Sequence, residues 1–324
     1  MDIKAITAPV DIQLAEFENA FNKGLHSNIP LAEKVIRYVA DKKGKRLRPL
    51  LVFLTAQMHG GTNEQTLASS LVIELLHTAT LIHDDVVDDS DLRRGSPTIN
   101  NLWNSKISIL IGDYLFSKTL SSMVNMKNLE AIAIVSAAAN KITEGELLQM
   151  DKSYLEGLNE AVYFDLISKK TASLFSASCQ LGALSVTDEI IARKRMELFG
   201  ENLGIAFQIT DDLLDYTGDK KTLGKPTGND IRENKITLPL LYALAKAEKK
   251  LQESILSKFG NGKKNDQDVD NIISFTCDYG GIDYSIQTVK TFADRAAHIL
   301  TTYADSPAKN SLQDLVTFTI SRDK

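Results

Sequence analysis

The sequence predicts an all-α fold, a helical bundle, and three observations carry that expectation. Apolar residues recur at helical spacing over long stretches, while β-branched alternation bounded by tight Asn-Gly or Asp-Gly turns does not recur. Only 7 prolines interrupt the 324 residues, so few helices are broken from within.

In chain order the helical spacing covers Leu31 to Val39, Leu67 to Val87, Ile107 to Met123, Leu129 to Met150, Ala161 to Leu184 and Ile190 to Leu214. Apolar residues at i, i+3, i+4 and i+7 share one helical face, and that face needs a partner to bury it. Two segments lack the pattern. Thr217 to Lys235 is rich in Gly, Lys, Asp and Asn, and an irregular loop of that size inside a compact helical protein usually carries function. Gly260 to Asp270 is polar and reads as a surface connection. Neither a helix-pair repeat of constant period nor a linker is visible, so residues 1–324 read as a single domain.

The length suffices for a substantial core. A formal net charge of −5 provides no global basic field for nucleic acid or an anionic membrane, so an anionic ligand must be met locally. Cys179 and Cys277 have neither metal-ligand spacing nor the density of a disulfide scaffold, and two reduced thiols suit the cytoplasm. Met1-Asp2-Ile3-Lys4 does not open a secretory signal. Charge-free apolar stretches such as Ile132 to Ala139 fall short of the roughly 20 residues of a spanning helix, so no transmembrane segment is expected.

The chemistry concentrates in one short motif that occurs twice. The first copy is His83-Asp84-Asp85-Val86-Val87-Asp88-Asp89-Ser90-Asp91-Leu92-Arg93-Arg94-Gly95, after an apolar helical run. Asp84 and Asp88, at i and i+4, lie about 5–6 Å apart on one helical face, where like charges oppose the helix unless something neutralises them. A divalent cation would do so. Mg²⁺ suits hard oxygen ligands and accepts one or two carboxylates together with waters and substrate phosphate oxygens. The second copy, Gln208-Ile209-Thr210-Asp211-Asp212-Leu213-Leu214-Asp215, repeats the Asp-Asp-x-x-Asp spacing 127 positions later (211 minus 84). One such motif could be a solvated helix end; two, each closing an apolar helix, point to a cage of carboxylates for several Mg²⁺ ions. Gly44-Lys45-Arg46-Leu47-Arg48-Pro49, Arg93-Arg94, Lys169-Lys170-Thr171, Lys225 and Lys235 supply cations, and guanidinium forks and ammonium groups beside acidic metal motifs suit a diphosphate.

Gly-Lys-Arg-Leu-Arg-Pro, both Asp-Asp-x-x-Asp motifs, Lys-Lys-Thr, Phe207-Gln208 and the Gly-Lys-Pro-Thr-Gly loop stand in the order found in trans isoprenyl diphosphate synthases, which the chain resembles from about Lys43 to Leu241. It is most similar to the long-chain polyprenyl branch, typified by octaprenyl diphosphate synthase, and the ending Ile320-Ser321-Arg322-Asp323-Lys324 is similar too. One departure is Asn234, where bacterial members often place Gly; Asn tolerates the left-handed conformation.

The resemblance implies the isoprenoid synthase fold, a helical bundle around a deep central cavity, and a homodimer that touches membrane transiently to release product. It implies that Lys45, Arg48, His77 and Arg94 hold the diphosphate of isopentenyl diphosphate. Asp84, Asp88 and Asp211, with Asp215 and Asp230 as outer support, would hold Mg²⁺, roughly three ions per site, on an allylic diphosphate such as farnesyl diphosphate. Arg93, Lys170, Lys225 and Lys235 would assist. Metal and cations would stabilise the departing diphosphate, the alkene would attack the allylic cation, and the released diphosphate would remove a proton. Thr171 and Gln208 would either turn oxygen dipoles toward that cation or serve as ordinary helix hydrogen-bonders. His77, seven residues before Asp84, shares its helical face.

Product length would depend on Ala79 and Thr80, which are small where short-chain members carry aromatic side chains. Leu76 and Ile73 lie deeper, and Leu120, Met123 or Val124 would close the far end unless they are plain core; Met123 is the assigned stop. The expected product is a long, octaprenyl-like all-trans chain for quinone side chains. The alternatives are a geranylgeranyl or shorter-chain synthase, a terpene cyclase, which needs no isopentenyl site, or a non-catalytic partner subunit.

Overall fold

The computed structural model describes residues 3–42, 44–93, 95–151, 159–218, 228–259 and 264–321. The expected helices form at Pro30–Asp41, Glu64–Val87, Ser105–Met126, Leu129–Met150 and Ile190–Thr217. Their starts have local causes. Asn63 closes a reciprocal capping box with Thr66, and Asn104 accepts from the Ile107 amide. Lys127, in the left-handed region at φ 51°, ends Ser105–Met126, and Asn128 caps the next helix through the Ala131 amide.

The chain divides into two compact units. The first comprises Met1–Lys141, Ser173–Gly200 and Ile299–Leu315. At its centre lies Leu47–Met58, in which every residue from Pro49 to Ala56 is buried, as expected of a helix apolar on all sides. Glu64–Val87 and Ser173–Leu184 pack against it, and Ser105–Met126 packs along Glu64–Val87. The last pair approach closely at Gly112, where a Cβ would come within 2.3 Å of the His83 ring.

The second unit comprises Ile142–Ala172, Glu201–His298 and Val316–Lys324. Its core gathers Tyr163, Ile167, Ala172, Ile205, Ile209 and Leu213 with Leu238, Leu240, Val269 and Ile272. Each aliphatic side chain removed from water there contributes about 1.5–3 kcal/mol.

Three expectations need amendment. Ala161 to Leu184 is not one regular helix: Glu160–Ile167 and Ser173–Leu184 are joined by a π-helical turn at Ser168–Ala172. Gly260 to Asp270 is only partly a connection, because Asn265 caps a helix at Asp266–Asp278. A short hairpin pairs Leu92–Arg93 with Ser96–Pro97, turning through Gly95 at φ 74°. By length and composition Glu64–Val87 alone among the described helices could cross a membrane; 56% of its apolar window is buried inside the protein, as in a core helix.

Candidate active site

Glu64–Val87 carries His77, Ala79, Thr80 and Asp84. The helix stops just before Asp88, yet the Asp88 amide still donates to the Asp84 carbonyl at 2.8 Å, which keeps the two residues one turn apart as their spacing predicts. Asp84 and Asp88 are partly exposed, whereas Asp85 is buried and accepts from Arg93 Nε at 2.7 Å. The hairpin sets Arg93 at that distance. Carboxylates at a helix C-terminus oppose the negative end of its dipole, and no basic residue stands in this last turn. An arrangement locally unfavourable to the helix favours a cation.

The basic motif divides by role. Arg48 Nη1 donates to His77 Nε2 at 2.9 Å, which places the neutral imidazole's proton on Nδ1, and its guanidinium lies 5.0 Å from the centre of the Phe175 ring. Lys45 is exposed. Arg46 instead turns inward from a left-handed backbone at φ 50°. Its Nε donates to Glu18 at 2.8 Å and its Nη1 to Glu74 at 2.6 Å, with the guanidinium 4.7 Å from the Phe21 ring centre. Arg94 and Lys225 lie outside the described residues.

In the second unit, Lys169, Lys170 and Thr171 occupy the π-helical turn. Such turns insert one residue into a helix and recur at functional sites. Gly145 lies against this turn: a Cβ there would sit 3.1 Å from the Lys170 amide nitrogen. Lys170 Nζ pairs with Glu146 at 2.6 Å and donates to Gln149 at 3.1 Å. Thr171 donates to Gln208 Oε1 at 2.6 Å.

The second acidic motif closes Ile190–Thr217, again without a basic residue in the last turn. Asp211 is partly exposed and Asp212 buried, the same division as in Asp84 and Asp85. Asp212 accepts from Tyr163 at 2.6 Å and from Gln208 Nε2 at 2.9 Å. Burial pushes its carboxyl up to about 6 against the pull of those two bonds, and the Asp211 and Asp215 charges add to the rise. Asp215 accepts the Asn229 and Asp230 amides on its two oxygens, each at 2.9 Å, and so caps the short helix Asn229–Arg232. Gly228 precedes that helix at φ 77°, where a Cβ would meet Val269 at 2.3 Å. Burial, with Asp212 and Asp215 nearby, raises the Asp230 carboxyl well above the usual carboxylate range while Lys235 opposes the rise. Asn234 adopts the left-handed conformation expected of it, φ 61°, and accepts from Lys264; Lys235 pairs with Glu233 at 2.8 Å.

These donors fit a hard divalent cation. All are carboxylate oxygens, and in each motif one aspartate is turned inward while its neighbour is partly exposed. Among the described residues no three potential ligands are already drawn together; Mg²⁺, which keeps waters and takes phosphate oxygens, needs no dedicated protein cage.

Of the length-determining candidates, Ala79, Leu76, Ile73 and Met123 are buried, and Thr80 is half-buried with its hydroxyl on the His77 carbonyl. Leu120 and Val124 are 46% and 68% exposed, which leaves Met123 as the buried member of the far trio. Sequence reasoning missed Tyr163, although its position eight residues before Thr171 on a helical segment could have suggested it.

The chain matches the polyprenyl synthetase family model over residues 29–276. It is 32% identical over 326 residues to octaprenyl diphosphate synthase of Escherichia coli K12, with 100% of both chains covered. Among solved structures it is similar to the Caulobacter crescentus polyprenyl synthase complexed with calcium and isoprenyl diphosphate, with a TM-score of 0.94, 32% identity, and 100% and 98% of the two chains covered. The geranylgeranyl pyrophosphate synthase of Bacteroides thetaiotaomicron gives a TM-score of 0.85 at 36% identity, covering 99% of each chain.

Proposed function

Because the chain belongs to the polyprenyl synthetase family, whose members are prenyltransferases using isoprenyl diphosphates and a divalent metal, we propose that it condenses isopentenyl diphosphate head to tail with an allylic diphosphate such as farnesyl diphosphate. The product in this reading is a long, octaprenyl-like all-trans chain, made in the cytoplasm by a single catalytic domain. The paired aspartate motifs, each closing a helix with one carboxylate anchored inward, carry the proposal. Mg²⁺, roughly three ions, would supply charge stabilisation on the leaving diphosphate. Asp84, Asp88 and Asp211 would hold it, Asp215 and Asp230 would support them from the adjoining turn, and Arg93, Lys170, Lys225 and Lys235 would add positive charge. Lys45, Arg48, His77 and Arg94 hold the second diphosphate, which needs no metal. Thr171 presents an oxygen to the allylic cation.

Buried Ala79 and half-buried Thr80 leave no aromatic floor beneath Asp84, which supports a long product over a geranylgeranyl one. A homodimer is supported by the exposed apolar row Ile109, Phe116, Leu120 and Val124 along Ser105–Met126. The deciding experiment incubates pure protein with farnesyl diphosphate, labelled isopentenyl diphosphate and Mg²⁺, then sizes the product. A metal-dependent ladder ending in long chains is expected. Absence of metal-dependent incorporation refutes the activity, and an end at one addition refutes the assigned length.

A further inference from the structure

The Tyr163 hydroxyl starts a run of hydrogen bonds with a single polarity. Tyr163 is buried, and its hydroxyl donates to Asp212 Oδ2 at 2.6 Å. Asp212 Oδ1 accepts from Gln208 Nε2 at 2.9 Å, and Gln208 Oε1 accepts from Thr171 Oγ1 at 2.6 Å. A carboxylate only accepts, so the Gln208 amide nitrogen faces Asp212 and its oxygen faces Thr171. Thr171 must then direct its one proton toward Gln208, and the remaining lone pairs of its oxygen point elsewhere. The opposite orientation would present a proton to an approaching cation. Eight residues separate Tyr163 from Thr171, but the π-helical turn absorbs one, leaving the equivalent of seven helical positions, or two turns.

We propose that Tyr163 is a positioning residue for prenyl transfer: by holding the Asp212 carboxylate it fixes the Gln208 amide, and through it the Thr171 hydroxyl, with oxygen turned to the developing allylic cation. This rests on the reading of Thr171 as the group that faces the cation. Phenylalanine would fill the same core space, so the hydroxyl is the part that carries the role. Without it Asp212 loses one of its two donors among the described residues, the amide is less firmly directed, and Thr171 is released to rotate.

A double-mutant cycle between Tyr163→Phe and Thr171→Val tests the relay, read by kcat, both KM values, the Mg²⁺ concentration for half-activation and the melting temperature. Tyr163→Phe is expected to lower kcat about tenfold, with the KM values and Mg²⁺ requirement within about twofold of the parent. In the Thr171→Val background the same substitution should change kcat by less than about twofold, while its effect on melting persists. A parental kcat for Tyr163→Phe, or an equal loss in both backgrounds, would overturn the proposal and leave Tyr163 a core residue. Thr171→Val turning over at the parental rate would remove the reading of Thr171, and the proposal with it. Should Tyr163→Phe not fold, Asp212→Asn enters the cycle in its place: coupling to Thr171→Val supports the relay, and full additivity overturns it.

Discussion

Arg46→Met should destabilise the protein strongly, although Arg46 stands between two residues assigned to substrate. The structure supplies the reason. Arg46 is held by Glu18 and Glu74, with side-chain exposures of 14%, 24% and 7%. Methionine would occupy much of the volume but leave both carboxylates without this partner, and breaking such a pair in the interior costs about 3–5 kcal/mol. Because Glu18 keeps some water, the lower end, about 3 kcal/mol, applies. With an unfolding entropy near 2.1 cal/mol/K per residue, about 0.7 kcal/mol/K for the whole chain, melting should fall by about 4 °C. Arg46→Lys, which keeps the charge without the guanidinium fork, should fall about half as far. Differential scanning calorimetry without substrate reads both. An Arg46→Met protein melting within about 1 °C of the parent would refute the reasoning.

Asp84→Ala or Asp211→Ala should lower turnover by about a hundredfold or more with the helical circular dichroism intact; near-normal Mg²⁺-dependent turnover in a folded variant would count against the metal assignment. Arg48→Ala or His77→Ala should mainly raise KM for isopentenyl diphosphate, and Lys225→Ala that for the allylic partner, as steady-state kinetics varying one substrate at a time will show; equal effects on both constants would argue against two diphosphate pockets. Ala79→Phe should shorten the product to one or two additions without loss of the first; if chromatography of a folded variant's products still shows the parental length, the growing tail does not pass Ala79. Overpacking there costs about 1–3 kcal/mol, so melting is measured alongside.

Five helices between Pro30–Asp41 and Ile190–Thr217 were legible because burying one helical face imposes a period that survives in the residues themselves, whereas Asp11–Gly24, Leu47–Met58, Leu238–Lys246, Gly281–Leu300 and Pro307–Ile320 were not assigned from the sequence. The Leu67 to Val87 expectation differs from the structure by a single turn at its start, and that turn is set by the reciprocal capping of Asn63 and Thr66, polar residues that an apolar period does not register. The π-helical turn was not legible: the close approach at Gly145 and the Thr171–Gln208 bond both involve residues remote in sequence. Nor could spacing tell Arg46 from Arg48. Which arginine turns inward depends on a left-handed backbone at Arg46 and on carboxylates from Asp11–Gly24 and Glu64–Val87, elements brought together by the fold. Composition likewise hid the Asp266–Asp278 helix, since its first turn is acidic and polar, as suits a helix N-terminus.

The two Asp-Asp-x-x-Asp motifs, identical in spacing, differ in electrostatics because their inward aspartates meet different partners. Adjacent residues on a helix are separated by about 100°, so one carboxylate can be anchored while its neighbour faces elsewhere. In the first motif the anchor is a guanidinium: Arg93 compensates the charge of Asp85. In the second the anchors are the Tyr163 hydroxyl and the Gln208 amide, which hydrogen-bond Asp212 but bring no positive charge. Burial first, and then the neighbouring aspartates, raise the Asp212 and Asp230 carboxyls, while Lys235 opposes the rise at Asp230. Under the proposed metal assignment, a cation at the first motif would meet Asp84 and Asp88 with Asp85 already paired to Arg93, whereas at the second it would meet a buried Asp212 held by neutral donors, so a shared sequence pattern does not imply equal dependence on the ion.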